Sequence, residues 1–367
     1  MAKPASSAKY SEGQILSVDR TTIQGQKLLN GDFSKEYVAV PVLSLNAGLS
    51  LGSNAVTLQI QQYHELSRTS FFWALLKMTK RQDWILIYFP VLILLLKNIR
   101  DKQFVSVDSI FCLILGLLFL ILSLRIKNHV ADHLTGIDRL NPETQQEPLM
   151  QGKIKVTELN KAAYFTLAIS ALMSLPFIVQ TPLILVFLLP AVVLGLFVQF
   201  FNISKFKSDK MGEFFIFCLF GPLYVSGLDM VLIQQVQAET LYIGFYIGLC
   251  SVFLLNLRVF SNYLFMAEVH SQNTLIAMGF DRAKNYLQFL MVFLVTAFAF
   301  YQFLFISHFW GAISIIVGGL GFWWLSRHLR SCDSPVSSRT RQMKDDLAQI
   351  VYGLHLVWIF ILLRQVF

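Results

Sequence analysis

Apolar stretches of membrane-spanning length recur along this chain and leave few folds open to it. Nine stand out: Trp84–Leu96, Val107–Leu124, Ala162–Val179, Pro182–Phe201, Glu213–Gln235, Leu241–Leu257, Tyr286–Ile306, Phe309–Leu325 and Leu347–Leu363. A helix satisfies its own backbone groups in hydrocarbon, so a series of such runs specifies a helical bundle. The first run is short and is read as beginning inside Phe71–Lys77. The expectation is an all-α integral membrane protein of nine transmembrane helices. Residues 71–367 form the membrane domain and residues 1–70 a polar N-terminal extension. The first 30 residues lack an apolar core, so no cleaved signal peptide is expected.

The net charge of +8 reports orientation more than partner. With the N-terminus inside, twenty Lys and Arg fall on the inner side of the nine runs and four (Lys97, Arg100, Lys102 and Arg364) on the outer side. That asymmetry places the N-terminus and the long loops in the cytoplasm, with some attraction to anionic lipid or a diphosphate. Basic strips interleaved with aromatic residues are absent, which argues against a nucleic-acid partner. Cys112, Cys218, Cys250 and Cys332 have neither metal nor disulfide spacing and read as packing residues.

Residues 1–35 are polar and read as mobile, whereas residues 37–63 alternate apolar and polar side chains around an Asn/Gly/Ser cluster, the pattern of a β-hairpin. A lone hairpin is barely stable and must lie on something else. From Ser67 onward the chain reads as helical. The outer connections are short (180–182, 236–240, 307–308) and the inner ones long (about 126–160, 203–212, 258–285, 327–346). Long loops gathered on one face suggest a cavity capped from the cytoplasm.

The stretch "NHVADHLTGID", residues 128–138, gathers polar side chains at the end of the second run. Asn128 and Asp132 are four apart and share a helical face, and Gly136 allows a turn that returns Asp138 toward them. Hard oxygen donors of this kind suit Mg²⁺, which keeps its remaining positions for water and phosphate oxygens. The alternative is a pair of solvated acids at a helix end. His129 and His133 are also four apart, but two histidines without a third ligand rarely make a zinc site.

The pattern of Asn128, Asp132, Gly136 and Asp138 resembles the first aspartate-rich motif of the UbiA superfamily of intramembrane prenyltransferases, and its spacing is most similar to the menaquinone branch. "PLMQGKI", from Pro148 to Ile154, resembles that family's P-L-x-x-G-x-I. "MGEFFIFCLFGPLYVSG" resembles the branch's G-L-G-E…F-F-G-P-L through Gly212, Glu213, Gly221, Pro222 and Leu223. "LNLR", Leu255 to Arg258, resembles the opening of the second motif, N-N-x-R-D-x-x-x-D, and "NTL" at 273–275 the R-T-L after it. The resemblance covers about residues 80–363; residues 1–70 have no counterpart. It implies a nine-helix bundle in a bacterial inner membrane that transfers a polyprenyl group from its diphosphate to an aromatic, quinone-precursor-like acceptor. It also implies a Mg²⁺ cofactor at Asn128, Asp132 and Asp138, with Asp132 and Asp138 as catalytic residues and diphosphate contacts from Asn128, Lys127, Lys153 and Arg258.

The departures from the family pattern fall in one chemical class. His129 stands where the family has Asp, and Glu147 where it has Arg. Val259 and Tyr263 stand where the second motif has carboxylates; a shifted register gives Tyr263 and Ala267 instead. Glu268 is the nearest acid that could complete a metal site from that side. Packing glycines and prolines are kept while ligands are thinned. A second reading is therefore a catalytically impaired relative that binds prenyl lipid or serves as a membrane scaffold. A third, a transporter, rests only on Asp229 and Glu213 within membrane segments, without an internal repeat.

Overall fold

The computed structural model describes residues 11–19, 21–34, 36–42, 55–78, 81–135, 148–190, 193, 212–268, 273–335 and 337–366. The chain divides into two compact units, 1–79 with 120–168, and 80–119 with 169–367. Among the described residues seven helices are long and apolar enough to cross a membrane: Val107–Ala131, Val156–Gln180, Gly212–Ile233, Ala238–Ser261, Phe280–Ile306, His308–Arg330 and Leu347–Val366. Of the other two expected runs, Trp84–Leu96 lies in a separate helix, and half of Pro182–Phe201 lies outside the described residues.

The first unit begins with β1 (Ile15–Asp19), α1 (Ile23–Asn30), β2 (Tyr37–Pro41) and β3 (Ala55–Gln62). β3 is central and pairs antiparallel with both neighbours, Ser17 opposite Thr57 and Ala39 opposite Ile60. The sheet therefore has a third strand and a helix drawn from residues expected to be mobile. α1 is delimited by local chemistry: the Thr22 hydroxyl accepts from Gly25 N at 3.1 Å, and Gly31 closes the helix at φ +74°. One face of the sheet packs Leu28, Leu29, Ala39, Val56, Leu58 and Ile60 into a core; Val38 and Val40 point to the other.

The same unit contains α2 (Arg68–Met78), the 120–135 portion of α4 (Val107–Thr135) and the start of α5 (Val156–Gln180). Ala74, Leu75 and Met78 of α2 pack with Ile126, Val130, Leu149, Ile154 and Leu159. The Ser123 hydroxyl donates to Ala163 O at 2.8 Å, tying α4 to α5.

The second unit holds α3 (Arg81–Arg100), α6 (Gly212–Cys218), α7 (Tyr224–Ile233), α8 (Ala238–Ser261), the short α9 (Tyr263–Glu268) and α10 (Thr274–Met278), α11 (Phe280–Tyr301), α12 (His308–Arg330) and α13 (Ser338–Val366). The first apolar run lies in α3 and the Phe71–Lys77 stretch in α2; the two residues between these helices lie outside the described residues. A π-helical turn, Leu219–Leu223, joins α6 to α7, with Gly221 at φ −98°, ψ −107° and Pro222 lacking an N–H to continue the ladder. Gly221 lies so close to α8 that a Cβ there would be 2.6 Å from Gly244 O and 2.8 Å from Gly248 Cα. Close backbone approach through small residues is how membrane helices pack without a hydrophobic drive between them. Around α8 the core is aromatic: Tyr246, Phe298, Tyr301 and Trp358 meet at centroid distances of 4.5–5.7 Å.

Candidate active site

α4 runs past the apolar span Val107–Ala131 to Thr135, so Asn128 and Asp132 stand one helical turn apart at its end. Asn128 is half-buried. Asp132 is described through its helical backbone only; the Asp132 and Glu268 side chains and the whole of Asp138 lie outside the described residues. The neighbouring face of α4 is core. His129 is buried, its Nε2 3.2 Å from Met78 O, and His133 is 1% exposed. The two histidines thus pack inward on the core side of α4. No group of three or more His, Cys, Asp or Glu that could hold a metal occurs among the described residues.

His133 lies beyond the span, and its Nδ1 has no partner among the described residues. Burial lowers its pKa from 6.5 to about 4. The fold therefore holds the neutral ring, while the unfolded chain takes up a proton below about 6.5. Stability attributable to this site is intact above about pH 6.5, falls as the pH drops toward 4, and levels off below that, a loss of about 3 kcal/mol. Unfolding followed from pH 7 to pH 4 should show a shallower decline for His133→Phe than for the wild type. Equal slopes would mean that His133 is not the group responsible.

The candidate cations differ in what they can reach. Lys127 donates to Asn160 Oδ1 at 2.7 Å and lies 4.0 Å over the Tyr164 ring, so α5 holds it. Lys153 is exposed in the turn before α5, and Arg258 is half-buried near the end of α8. In the second unit, the positions expected to carry second-motif acids are packing residues. Val259 is buried. Tyr263 meets Phe280 edge-on at 5.3 Å and donates to Ile276 O at 3.4 Å, while Phe260 stacks on Phe280 at 5.0 Å. Asn256 is fully buried and donates to Val252 O at 2.9 Å, leaving its Oδ1 without a partner among the described residues.

Glu213, at the start of α6, accepts from the Tyr286 hydroxyl at 2.6 Å. Asp229 lies in a network that the sequence did not announce. Lys97 Nζ is 3.9 Å from Asp229 Oδ2, and both side chains are wholly buried. Thr240 donates to Asp229 Oδ2 at 2.5 Å. Arg100 Nη2 donates to Glu239 Oε2 at 2.6 Å, and the Tyr301 hydroxyl donates to Glu239 Oε1 at 2.6 Å. These bonds join the ends of α3, α7, α8 and α11, and none of the residues matches the motifs.

The motif order along α4, α6 and α8 can be tested against known proteins. The family model for the UbiA prenyltransferase family matches residues 87–344. The chain belongs to the UbiA prenyltransferase family. It is thus an integral membrane member of a prenyltransferase family, with the N-terminal sheet outside the matched range. Solved structures of a UbiA homolog from Archaeoglobus fulgidus share its fold. Those bound to GPP and Mg²⁺ and to DMAPP and Mg²⁺ each align with a TM-score of 0.58 at 15% identity. They cover 79% of this chain and, respectively, 99% and 98% of the homolog. A third structure of that homolog aligns with a TM-score of 0.54 at 16% identity, over 80% of this chain and 98% of the other. No significant match occurs among curated proteins.

Proposed function

We propose that this protein is an intramembrane prenyltransferase that moves a polyprenyl group from its diphosphate to an aromatic, quinone-precursor-like acceptor. The reading rests above all on α4, where Asn128 and Asp132 stand one turn apart at the end of a membrane span, within a chain of this family. The family's solved homolog binds GPP or DMAPP with Mg²⁺, and an amide with two carboxylates is a donor set that suits the same ion here. Asn128, Asp132 and Asp138 would hold it, and the resemblance to the second motif adds Glu268 as a candidate ligand. When bound, Mg²⁺ neutralises charge on the departing diphosphate. Lys153 and Arg258 are the cations available to diphosphate oxygens; Lys127 would first have to leave Asn160. The test incubates membranes containing the protein with Mg²⁺, a polyprenyl diphosphate and 1,4-dihydroxy-2-naphthoate. Mass spectrometry should detect prenylated product that Asp132→Ala does not make; no product from the wild type sinks the reading.

The second reading, a relative that binds prenyl diphosphate but turns over slowly or not at all, is favoured by the packing at Val259 and Tyr263. Val259→Asp with Tyr263→Asp would bury charge in place of that packing. The double variant should be less stable than the wild type in EDTA and regain stability on adding Mg²⁺ with geranyl diphosphate. No recovery would mean that the positions do not face a metal site.

The orientation follows from the Lys and Arg asymmetry: the N-terminus and the 126–160 and 258–285 loops face the cytoplasm of a bacterial inner membrane. Cysteines placed at Thr157 and at the exposed Ala238, in a background without accessible native cysteines, should label from opposite sides. Labelling of both from one side would overturn the topology.

A further inference from the structure

Residues 1–70 have no place in the family pattern, yet the sheet they form is attached to one stretch of the first unit. Leu134, in the last turn of α4 and two residues past Asp132, packs into the sheet's core with Leu28, Ala39 and Leu58. On the opposite face, Val38 and Val40 pack against Met150. The sheet thus grips the chain at 134 and again at 150, on either side of residues 136–147, the stretch in which Asp138 falls.

The second grip is specific in its chemistry. The turn after Pro148 is closed by Lys153 N donating to Pro148 O at 2.9 Å, with Gly152 at φ +67°. The positive φ already favours glycine, and a Cβ on Gly152 would also be 2.8 Å from Val38 Cγ1 and 3.1 Å from Gln61 Oε1 of the sheet. Tyr63, just past β3, donates its hydroxyl to Glu158 Oε1 at 2.6 Å, and Glu158 Oε2 accepts from Lys155 N at 3.0 Å. Lys155 Nζ donates to Ser34 O at 2.9 Å and lies 4.4 Å over the Tyr63 ring. The start of α5 is thereby tied to the extension at Ser34, before β2, and at Tyr63, after β3.

We propose that the N-terminal sheet is a built-in clamp that holds the end of α4 and the 148–155 turn that leads into α5, with Tyr63 and Gly152 as its positioning residues. A three-stranded sheet with one small core gains its remaining order from what it docks on, and here it docks on both of these stretches. The consequence for diphosphate affinity rests on the proposed function; the clamp itself does not.

The test uses the full chain in detergent with two readouts: amide hydrogen exchange across 128–155, and titration with geranyl diphosphate with and without Mg²⁺. Tyr63→Phe removes only the hydroxyl, and a single bond of this kind should speed exchange in that window about fivefold to tenfold. Mg²⁺-dependent affinity should weaken by a similar factor, with the unfolding temperature unchanged. Glu158→Gln leaves one acceptor oxygen for two donors and should reproduce part of the Tyr63→Phe effect. Gly152→Ala should have a larger effect, partly relieved by Val38→Ala. Unchanged exchange in Tyr63→Phe overturns the clamp, and so does faster exchange matched by general loss of stability. If the wild type binds geranyl diphosphate with Mg²⁺, faster exchange with unaltered affinity also overturns it. If the wild type does not bind, the proposed function fails and the exchange result alone decides the clamp.

Discussion

Asp229→Ala is expected to destabilise the second unit by about 3–5 kcal/mol, the range found when one partner of a buried ion pair is removed. The magnitude comes from what is left behind. Lys97 is wholly buried, and without Asp229 its ammonium keeps the neutral Asn98 Oδ1, at 3.3 Å, but loses its carboxylate. Thr240 loses its acceptor as well. The pair itself is a different quantity: two desolvated charges nearly cancel, so Lys97→Met with Asp229→Leu should recover most of the loss. Chemical unfolding in detergent of the two singles and the double closes the cycle. A double variant as unstable as the sum of the singles would show that the two side chains act independently. Glu239→Ala should behave like Asp229→Ala, since it strips the acceptor from both Arg100 and Tyr301.

Asp132→Ala should lower Mg²⁺-dependent affinity for geranyl diphosphate by about 10²–10³-fold while leaving the unfolding temperature close to that of the wild type. A carboxylate that helps hold the ion acts on a charge that water screens poorly at the end of a membrane span, and each ~1.4 kcal/mol is tenfold. Asp132 is flanked by the buried His133 and followed by Leu134, which carry the packing of that turn. Removing the acid should therefore spare the fold. Calorimetric titration in Mg²⁺ and in EDTA separates the two effects. An affinity that survives the substitution but is lost in Asn128→Ala would move the ligand role to the amide alone.

The spans were legible because hydrocarbon imposes length and apolarity on any helix within it, and α4, α5, α8, α11, α12 and α13 carry that signature. β2 and β3 were legible from their alternation. β1 and α1 were not, although Thr22 and Gly31 are ordinary helix-boundary residues; the helix between them, eight residues long, has no apolar run to draw notice. In the site, the order of motifs pointed to α4 and α8, and Val259 and Tyr263 read as departures from the family's second motif. The packing at these positions was not visible, because the contacts of Phe260 and Tyr263 with Phe280 depend on a helix that returns later in the chain. Asp229 and Glu213 read as lone membrane acids for the same reason: Lys97 and Tyr286 reach them from distant helices.

That distance also has a consequence in time. Arg100 and Glu239 are 139 residues apart in the chain. At a synthesis rate of about 5–20 residues per second, α3 waits roughly 7–30 s for the helix that carries its counter-charge. Before α8 is made, Arg100 has Asp101 beside it and Lys97 can already meet Asp229 of α7. Completion of the ion network is therefore a late assembly event, and a ribosome that stalls before Glu239 leaves a membrane intermediate in which Arg100 lacks one of its two carboxylates and Tyr301 its acceptor.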